Sequence, residues 1–115
     1  MKKLFFLTLF FVPLLLISNI AQDIPTSEIK LKVFGNCDMC KKRIEKAIDI
    51  PEVKYAKWDK HTKNLKVIFE TSVSSDSLQK RIASFGHDTE KFKAPDEVYK
   101  KLPKCCLYRD NPKTH

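Results

Sequence analysis

Two cysteine pairs carry the side chains of this sequence that are best suited to chemistry. Cys37 and Cys40 are separated by two residues, and Cys105 and Cys106 are adjacent. Cys-x-x-Cys spacing lets two sulfurs converge on one ion, because the second sulfur sits in the first turn of a helix that follows the loop. Two thiolates without a carboxylate ligand favour a soft ion such as Cu(I), whereas Zn(II) needs a fuller tetrahedral set of ligands.

The surroundings of Cys37 and Cys40 favour the thiolate form of both side chains. The free amide groups and the dipole at a helix N-terminus stabilise negative charge, and Lys41, Lys42 and Arg43 add positive charge next to the pair. Two other interpretations stay open. An even number of cysteines in an exported chain is typical of disulfides, and a Cys-x-x-Cys pair also occurs in thiol–disulfide oxidoreductases.

The hydrophobic pattern between these pairs predicts a β-α-β-β-α-β order of elements. Alternating apolar residues predict strands, and apolar residues three and four apart predict helices. This order is the split βαβ, or ferredoxin-like, arrangement of an α+β sandwich, with helices on one face of an antiparallel sheet. We expect Trp58, Phe69, Phe85 and Phe92 in its core. The predicted elements are a strand over 29–34, a helix from 39 or 40 to about 50, strands over 53–58 and 65–69, a helix from about 75 to 85, and a short strand over 89–92.

Residues 33–40, with the sequence VFGNCDMC, resemble the metal-binding loop of the heavy-metal-associated domain. That family includes copper chaperones, the periplasmic mercury-binding protein and the N-terminal modules of metal-pumping ATPases. The resemblance implies that Cys37 and Cys40 are the metal ligands, with Cu(I) as the expected metal and Hg(II) or Zn(II) as alternatives. The family usually has Gly-Met-Thr before the first cysteine, whereas this chain has Gly35-Asn36 and lacks that methionine. The predicted domain covers residues 22–92.

Three further residues are candidate accessory metal ligands. His87 follows Gly86 on the loop after the second predicted helix, which this fold places beside the cysteine loop. It could be a third ligand, a group that tunes the thiolates, or a solvent-facing loop residue. Cys105 and Cys106 lie in a predicted C-terminal extension, residues 93–115, and could bind the same ion, bind a second ion, accept metal in transfer, or form a disulfide with Cys37 or Cys40. His61, in the polar hairpin, is expected at the far end of the sheet.

The N-terminus has the layout of a secretory signal peptide. Lys2 and Lys3 precede an apolar run over residues 4–17, and a short polar boundary leads to a predicted cleavage after Ala21. An uncleaved anchor is the weaker interpretation, because the run is shorter than the ~20 residues of a spanning helix and contains Pro13. We therefore expect export across the inner membrane to the periplasm, with no stable membrane insertion after cleavage.

Charge and composition narrow the function. The net charge is +8, and removing residues 1–21, with two lysines and no acidic residue, reduces it to +6. Most of the basic residues alternate with apolar ones, which is typical of a solvated polar face, and attraction to acidic partners or anionic membranes is the alternative. An exported chain is not expected to bind nucleic acid. We find no catalytic triad, and two glycines in the whole chain leave no Gly-rich phosphate loop.

The sequence thus predicts a non-enzymatic Cu(I) chaperone or scavenger that passes metal to a metal-transporting or metal-receiving protein by ligand exchange. We expect a monomer, with a metal-bridged dimer as the alternative.

Overall fold

The computed structural model describes residues 24–112 and residue 114. The predicted signal peptide, residues 1–21, lies outside this part of the chain. Within the described part, no helix is both long enough and apolar enough to cross a membrane.

A three-stranded antiparallel sheet, with helices packed against it, forms the centre of the described chain. The strand order is β1-β3-β2, so the middle strand pairs with both neighbours. The predicted α+β, ferredoxin-like fold class is confirmed. The elements in chain order are β1 (Thr26–Lys32), α1 (Asp38–Ala47), β2 (Val53–Trp58), β3 (Asn64–Glu70), α2 (Ser75–Ser84), α3 (Asp96–Tyr99) and a 3-10 turn (Lys104–Cys106).

The starts of the two longer helices differ in their capping: α2 has a side-chain cap and α1 has none. At α1, Cys37 is the N-cap in an extended conformation, and the buried face of the helix consists of Cys40, Ile44 and Ala47, at the spacing of an amphipathic helix. At α2, the Ser74 side chain accepts a 3.0 Å hydrogen bond from the Ser77 amide and so satisfies a free N–H of the first turn. These starts place the Cys37–Cys40 loop at the edge of the sheet where β1 ends.

The fourth strand predicted over residues 89–92 is reduced to a single bridge between Val33 and Thr89. The Thr89 amide donates a 2.8 Å hydrogen bond to the Phe92 carbonyl, which turns the chain instead of extending it. The Thr89 hydroxyl donates a 2.8 Å bond to buried Gln79, so the side chain holds this turn against α2. The sheet edge beyond β1 is therefore closed by a turn and not by a full strand.

The core prediction holds for two of the four aromatic residues. Trp58 and Phe69 are buried, and the Trp58 indole N–H donates a 2.9 Å hydrogen bond to the Val33 carbonyl. Phe85 is 37% exposed and Phe92 is only partly buried. For Phe85 the prediction was wrong, because this residue is the C-cap of α2 and lies past the helix face that packs on the sheet.

The chain after residue 93 packs back onto the domain. Tyr99, Leu102, Cys106 and Tyr108 are buried in the same hydrophobic cluster as the residues of the sheet. The Tyr108 hydroxyl donates a 2.7 Å hydrogen bond to the Gly86 carbonyl and accepts a 2.8 Å bond from the Asp88 amide. The tyrosine thereby ties the C-terminal segment to the loop that follows α2.

Arg109 adds a second tie to that loop. Its Nε and Nη2 atoms donate hydrogen bonds of 2.9 and 2.6 Å to the two carboxylate oxygens of Asp88, and its Nη1 lies 2.9 Å from Asp96. A bidentate arginine–carboxylate pair is among the stronger charged contacts, because two parallel bonds fix both groups. We call residues 96–111 the C-terminal clasp.

Gly86→Ala should destabilise the protein, because Gly86 lies between α2 and the loop that binds the clasp, in a conformation that alanine adopts only with strain. Its φ is +106°, and an added Cβ would lie 2.9 Å from Leu102 Cδ2. We expect the free energy of unfolding to fall by about 1–3 kcal/mol. Urea unfolding followed by circular dichroism would measure this. Lys93→Ala, at an exposed position, is the control and should change the free energy by less than about 0.5 kcal/mol. Equal effects would contradict the assigned role of Gly86.

Candidate metal centre

Three sulfurs from two distant parts of the chain meet at the N-terminus of α1. The Cys37 and Cys40 sulfurs are 3.5 Å apart, and the Cys106 sulfur lies 3.6 Å from Cys37 and 2.6 Å from Cys40. All four cysteines are free thiols. Cys106 belongs to the 3-10 turn of the clasp, so folding of the C-terminal segment brings a third thiol to the predicted pair. We call Cys37, Cys40 and Cys106 the inner set.

The inner set is shielded from solvent. Cys40 and Cys106 have no exposed surface, and Cys37 is 7% exposed. Cys105 lies at the rim, where it is partly exposed, and its sulfur is 3.8 Å from Cys106 Sγ. The sulfurs of Cys37, Cys105 and Cys106 all lie within 4.8 Å of one another. The structure thus brings all four cysteines of the chain to one place.

Close backbone packing beneath the loop holds this arrangement. A Cβ on Gly35 would lie 3.0 Å from Cys40 Cβ and 3.2 Å from the Trp58 ring, so a larger residue would push the loop away from the sheet. The buried Asn36 side chain donates a 2.9 Å hydrogen bond to the Asn111 carbonyl, which links the loop to the end of the clasp. Gly35 therefore sets how close the sulfurs come to the core, and Asn36 couples them to the C-terminus.

The three thiols of the inner set differ in acidity. Burial tends to raise the pKa of Cys37, but the Cys40 amide and hydrogen bonds with Cys40 and Cys106 outweigh it, so that the pKa falls from 9.0 to about 7. Burial raises the pKa of Cys40, partly offset by hydrogen bonds from its neighbours. Burial also raises the pKa of Cys106, helped by its contact with Cys40. Cys37 is therefore the most acidic thiol of the inner set.

Positive charge surrounds the sulfurs. The Arg43 guanidinium donates a 3.2 Å hydrogen bond to Cys106 Sγ. Lys60 pairs with Asp38 at 3.3 Å, within the Cys-x-x-Cys loop, so the β2–β3 hairpin lies on the same edge of the sheet as the cysteines. The expectation that this hairpin, with His61, lies at the far end was wrong, because β1 and β2 both run toward this edge. His61 itself is exposed.

His87 is buried beside the site but lies outside the group of sulfurs. Its Nδ1 is 2.8 Å from the Phe34 carbonyl, which can only accept a hydrogen bond, so Nδ1 carries the proton. Its Nε2 is buried without a hydrogen-bond partner among the described residues. The ring stacks on Tyr108 with centroids 5.5 Å apart, and burial lowers its pKa to about 4. His87 is thus a neutral interior residue between the loop and the clasp, and its role as an accessory ligand stays a prediction.

The inner set fits a soft metal ion after a small adjustment. Three sulfurs around one ion, each at about 2.3 Å, lie about 4.0 Å apart in a plane and somewhat closer in a tetrahedron. Two of the observed separations, 3.5 and 3.6 Å, are near this value, and the 2.6 Å between Cys40 and Cys106 would have to widen. An all-sulfur, largely dehydrated donor set suits thiophilic metals and not Mg(II) or Ca(II).

Comparison with known proteins supports this assignment. A solved structure of the CopZ metallochaperone matches with 27% sequence identity and a TM-score of 0.52, and the match covers 55% of this chain and 98% of that chain. A protein of Bacillus anthracis str. Ames, to which copper-ion binding has been ascribed, matches in fold with 21% identity and a TM-score of 0.55, covering 58% and 99%. The part of this chain that these structures match is a heavy-metal-associated-like domain that resembles copper chaperones. Neither a protein-family model nor a curated protein matches the chain.

Both matches span nearly the whole of the compared proteins but little more than half of this chain. The heavy-metal-associated-like domain, with its predicted ligand pair, therefore accounts for only part of the protein. For the C-terminal segment, the sequence feature that indicated a functional role was the Cys105-Cys106 pair. The contacts of Tyr108 and Arg109 had no such signal, because they join residues about twenty positions apart without a recurring motif.

At equilibrium in a glutathione redox buffer, oxidation should join Cys40 to Cys106 in preference to Cys37, because these two sulfurs are closest at 2.6 Å. Oxidised glutathione supplies the oxidant: the thiols of Cys40 and Cys106 lose two protons and two electrons, and the glutathione disulfide becomes two thiols. In Cys37→Ser/Cys105→Ser, mass spectrometry of tryptic peptides should show the 33–41 and 105–109 peptides cross-linked. Cys40→Ser/Cys105→Ser, which keeps Cys37 and Cys106, is the matched control and should need more oxidant. The reverse order would contradict the geometry.

Stability should fall as the pH drops from 7 to 5, because His87 is neutral in the fold. Its pKa is about 4 in the folded protein, against 6.5 for a histidine exposed to water, so the unfolded chain takes up more protons between these values. Stabilisation is full above pH 6.5 and is lost toward pH 4. The loss at pH 5 should be about 2 kcal/mol. Urea unfolding at both pH values measures it, with His87→Gln as control. An unchanged pH dependence in His87→Gln would refute this assignment.

Proposed function

We propose that this protein is an exported Cu(I) carrier that holds one ion in its thiol cluster and passes it to a partner by ligand exchange. Residues 1–21 would direct export across the inner membrane to the periplasm. Cys37 and Cys40 would be the ligands common to the family, and Cys106 the third. The main observation in support of this proposal is that three buried sulfurs from two distant segments lie within 3.6 Å of one another.

The donor set favours Cu(I) as the cargo. Cu(I) accepts two or three thiolates and gains little from oxygen ligands, which are absent from the described cluster of sulfurs. The 27% identity to the CopZ metallochaperone supports a metal-carrier role. Zn(II) is the main competitor, because Cys105 at 3.8 Å from Cys106 could complete four sulfur ligands. Hg(II) would also fit two or three thiolates.

Arg43 supports a charged metal–thiolate centre. Three thiolates around one Cu(I) carry a net charge of −2, and burying that charge costs free energy unless a cation is close. The guanidinium at 3.2 Å from Cys106 supplies such a cation. Because Arg43 is on α1 and Cys106 is on the clasp, the same contact favours the closed position of the clasp once the thiols ionise.

A basic surface beside the centre provides a face for the partner. A groove of about 640 Å³ is lined by Met39, Lys42, Arg43, Lys46 and Phe85. Met39 is 51% exposed, so the groove combines an apolar edge with positive charge. Such a face fits an acidic surface on a metal-transporting or metal-receiving protein. The protein would act as a carrier and not as an enzyme, and as a monomer in its apo form.

An anaerobic Cu(I) titration of the reduced protein against a chromophoric chelator tests this proposal. The wild type should remove one equivalent of Cu(I), and Cys37→Ser/Cys40→Ser should remove none. Cys106→Ser should bind about 100-fold more weakly, because it loses one of three ligands and about 2.7 kcal/mol. Cys105→Ser, at the neighbouring position, is the matched control and should stay within about threefold of the wild type.

Other outcomes would redirect the function. Tighter binding of Zn(II) or Hg(II) than of Cu(I), each measured by competition, would replace copper as the cargo. Rapid catalytic reduction of insulin by the protein, without tight binding of any of these metals, would favour the thiol–disulfide oxidoreductase interpretation. Wild-type affinity in Cys106→Ser would remove the third ligand and leave the simple Cys37–Cys40 pair.

A further inference from the structure

A second set of sulfurs overlaps the inner set and reaches the surface. Cys105 Sγ lies 3.8 Å from Cys106 Sγ and 3.8 Å from the thioether sulfur of Met39. Cys37, Cys105 and Cys106 lie within 4.8 Å of one another. Cys105 is partly exposed and Met39 is 51% exposed, whereas Cys40 has no exposed surface. We call Cys37, Cys105 and Cys106 the outer set.

The inner and outer sets share two of their three sulfurs. Both contain Cys37 and Cys106, and they differ only in whether the third sulfur is buried Cys40 or rim-placed Cys105. An ion could therefore move between the sets by exchanging a single ligand while two bonds stay in place. Because one ligand is exchanged at a time, the ion keeps two sulfur ligands throughout and is never released into solvent.

We propose that the outer set is an exchange position through which the soft metal enters and leaves the buried centre, with Met39 as a thioether contact at its rim. This inference rests on the proposed metal-carrier function and adds a route to it. The partner's thiolate would meet the ion at the outer set, because the inner set is closed to any incoming side chain.

The step balances without a redox change. The bond from the metal to the Cys40 sulfur breaks as a bond to the Cys105 sulfur forms. The Cys105 thiol loses one proton and the Cys40 thiolate gains one, so charge and protons balance. Cu(I) stays Cu(I) throughout. Loading would run in the reverse direction, and would return Cys105 to its thiol form.

The clasp explains why such a route is needed. Tyr108 and Arg109 hold the turn that carries Cys106 by hydrogen bonds to Gly86 and Asp88. Release by opening of the clasp would break these contacts together, including a bidentate ion pair of which both members are mostly buried. Exchange at Cys105 leaves the whole network in place, because Cys105 is the residue of the turn that faces the rim.

The test separates transfer rate from equilibrium affinity. The Cu(I)-loaded protein is mixed anaerobically with excess bathocuproine disulfonate, a bulky anionic chelator, and the coloured complex is followed by stopped flow. Cys105→Ser should slow transfer by about tenfold or more, a rise of ~1.4 kcal/mol in the barrier. Its affinity in the equilibrium titration should remain within about threefold of the wild type.

Three further variants bear on the assignment. Cys105→Met keeps a soft sulfur and should recover part of the rate. Met39→Leu keeps the size but removes the thioether, and should slow transfer by about two- to fivefold. Lys104→Arg, which keeps the positive charge at the adjacent exposed position, is the matched control and should transfer at the wild-type rate.

The possible failures can be told apart. A wild-type transfer rate in Cys105→Ser would overturn the exchange position while leaving the carrier function intact. A loss of about 100-fold in equilibrium affinity would also overturn it, because Cys105 would then be a permanent ligand. If the wild type takes no Cu(I) from the chelator in the first titration, the proposed function itself fails and the exchange position fails with it.

Discussion

The metal centre depends on the attachment of the C-terminal clasp to the loop that follows α2. Tyr108 bonds to both Gly86 and Asp88, and Arg109 forms a bidentate pair with Asp88. These contacts hold the turn that carries Cys106 against the N-terminus of α1. Because Tyr108 also stacks on His87, whose ring bonds to the Phe34 carbonyl, the attachment continues into the strand end that leads to Cys37. A substitution in this loop would therefore change the positions of the sulfurs.

Burial of the sulfurs has two opposite effects on metal binding. Burial raises the pKa of Cys40 and of Cys106, so the empty centre keeps protons that a metal must displace. Once thiolates and metal are in place, the same exclusion of water strengthens their attraction. The lowered pKa of Cys37, about 7, and the Arg43 guanidinium beside Cys106 reduce the cost of ionising these two thiols. The centre should consequently bind metal more tightly as the pH rises.

This chain carries, after its two longer helices, a segment that covers the metal loop. The match to the CopZ metallochaperone covers 55% of this chain, and the clasp supplies further described elements, α3 and the 3-10 turn, after the two longer helices. A two-cysteine loop at a domain edge is open to a partner, whereas a centre with a third cysteine from the clasp is closed. This difference favours retention of the ion, and it makes a rim sulfur such as Cys105 useful for exchange.

Sequence alone determined the elements whose signals are local. The strand over Val53–Trp58 was predicted with its observed bounds, and the Ser74 cap, the Gly86 terminus of α2 and the cysteine pair at the start of α1 follow from side chains a few positions apart. Tertiary structure decided what depends on distant residues. Thr89 turned back on Phe92 instead of forming a strand, Phe85 stayed exposed, and Cys106 joined Cys37 across 69 positions. Periodicity reports which face of an element is apolar, but the partner of that face, and of a cysteine, is set by packing and hydrogen bonds that only the folded chain brings together.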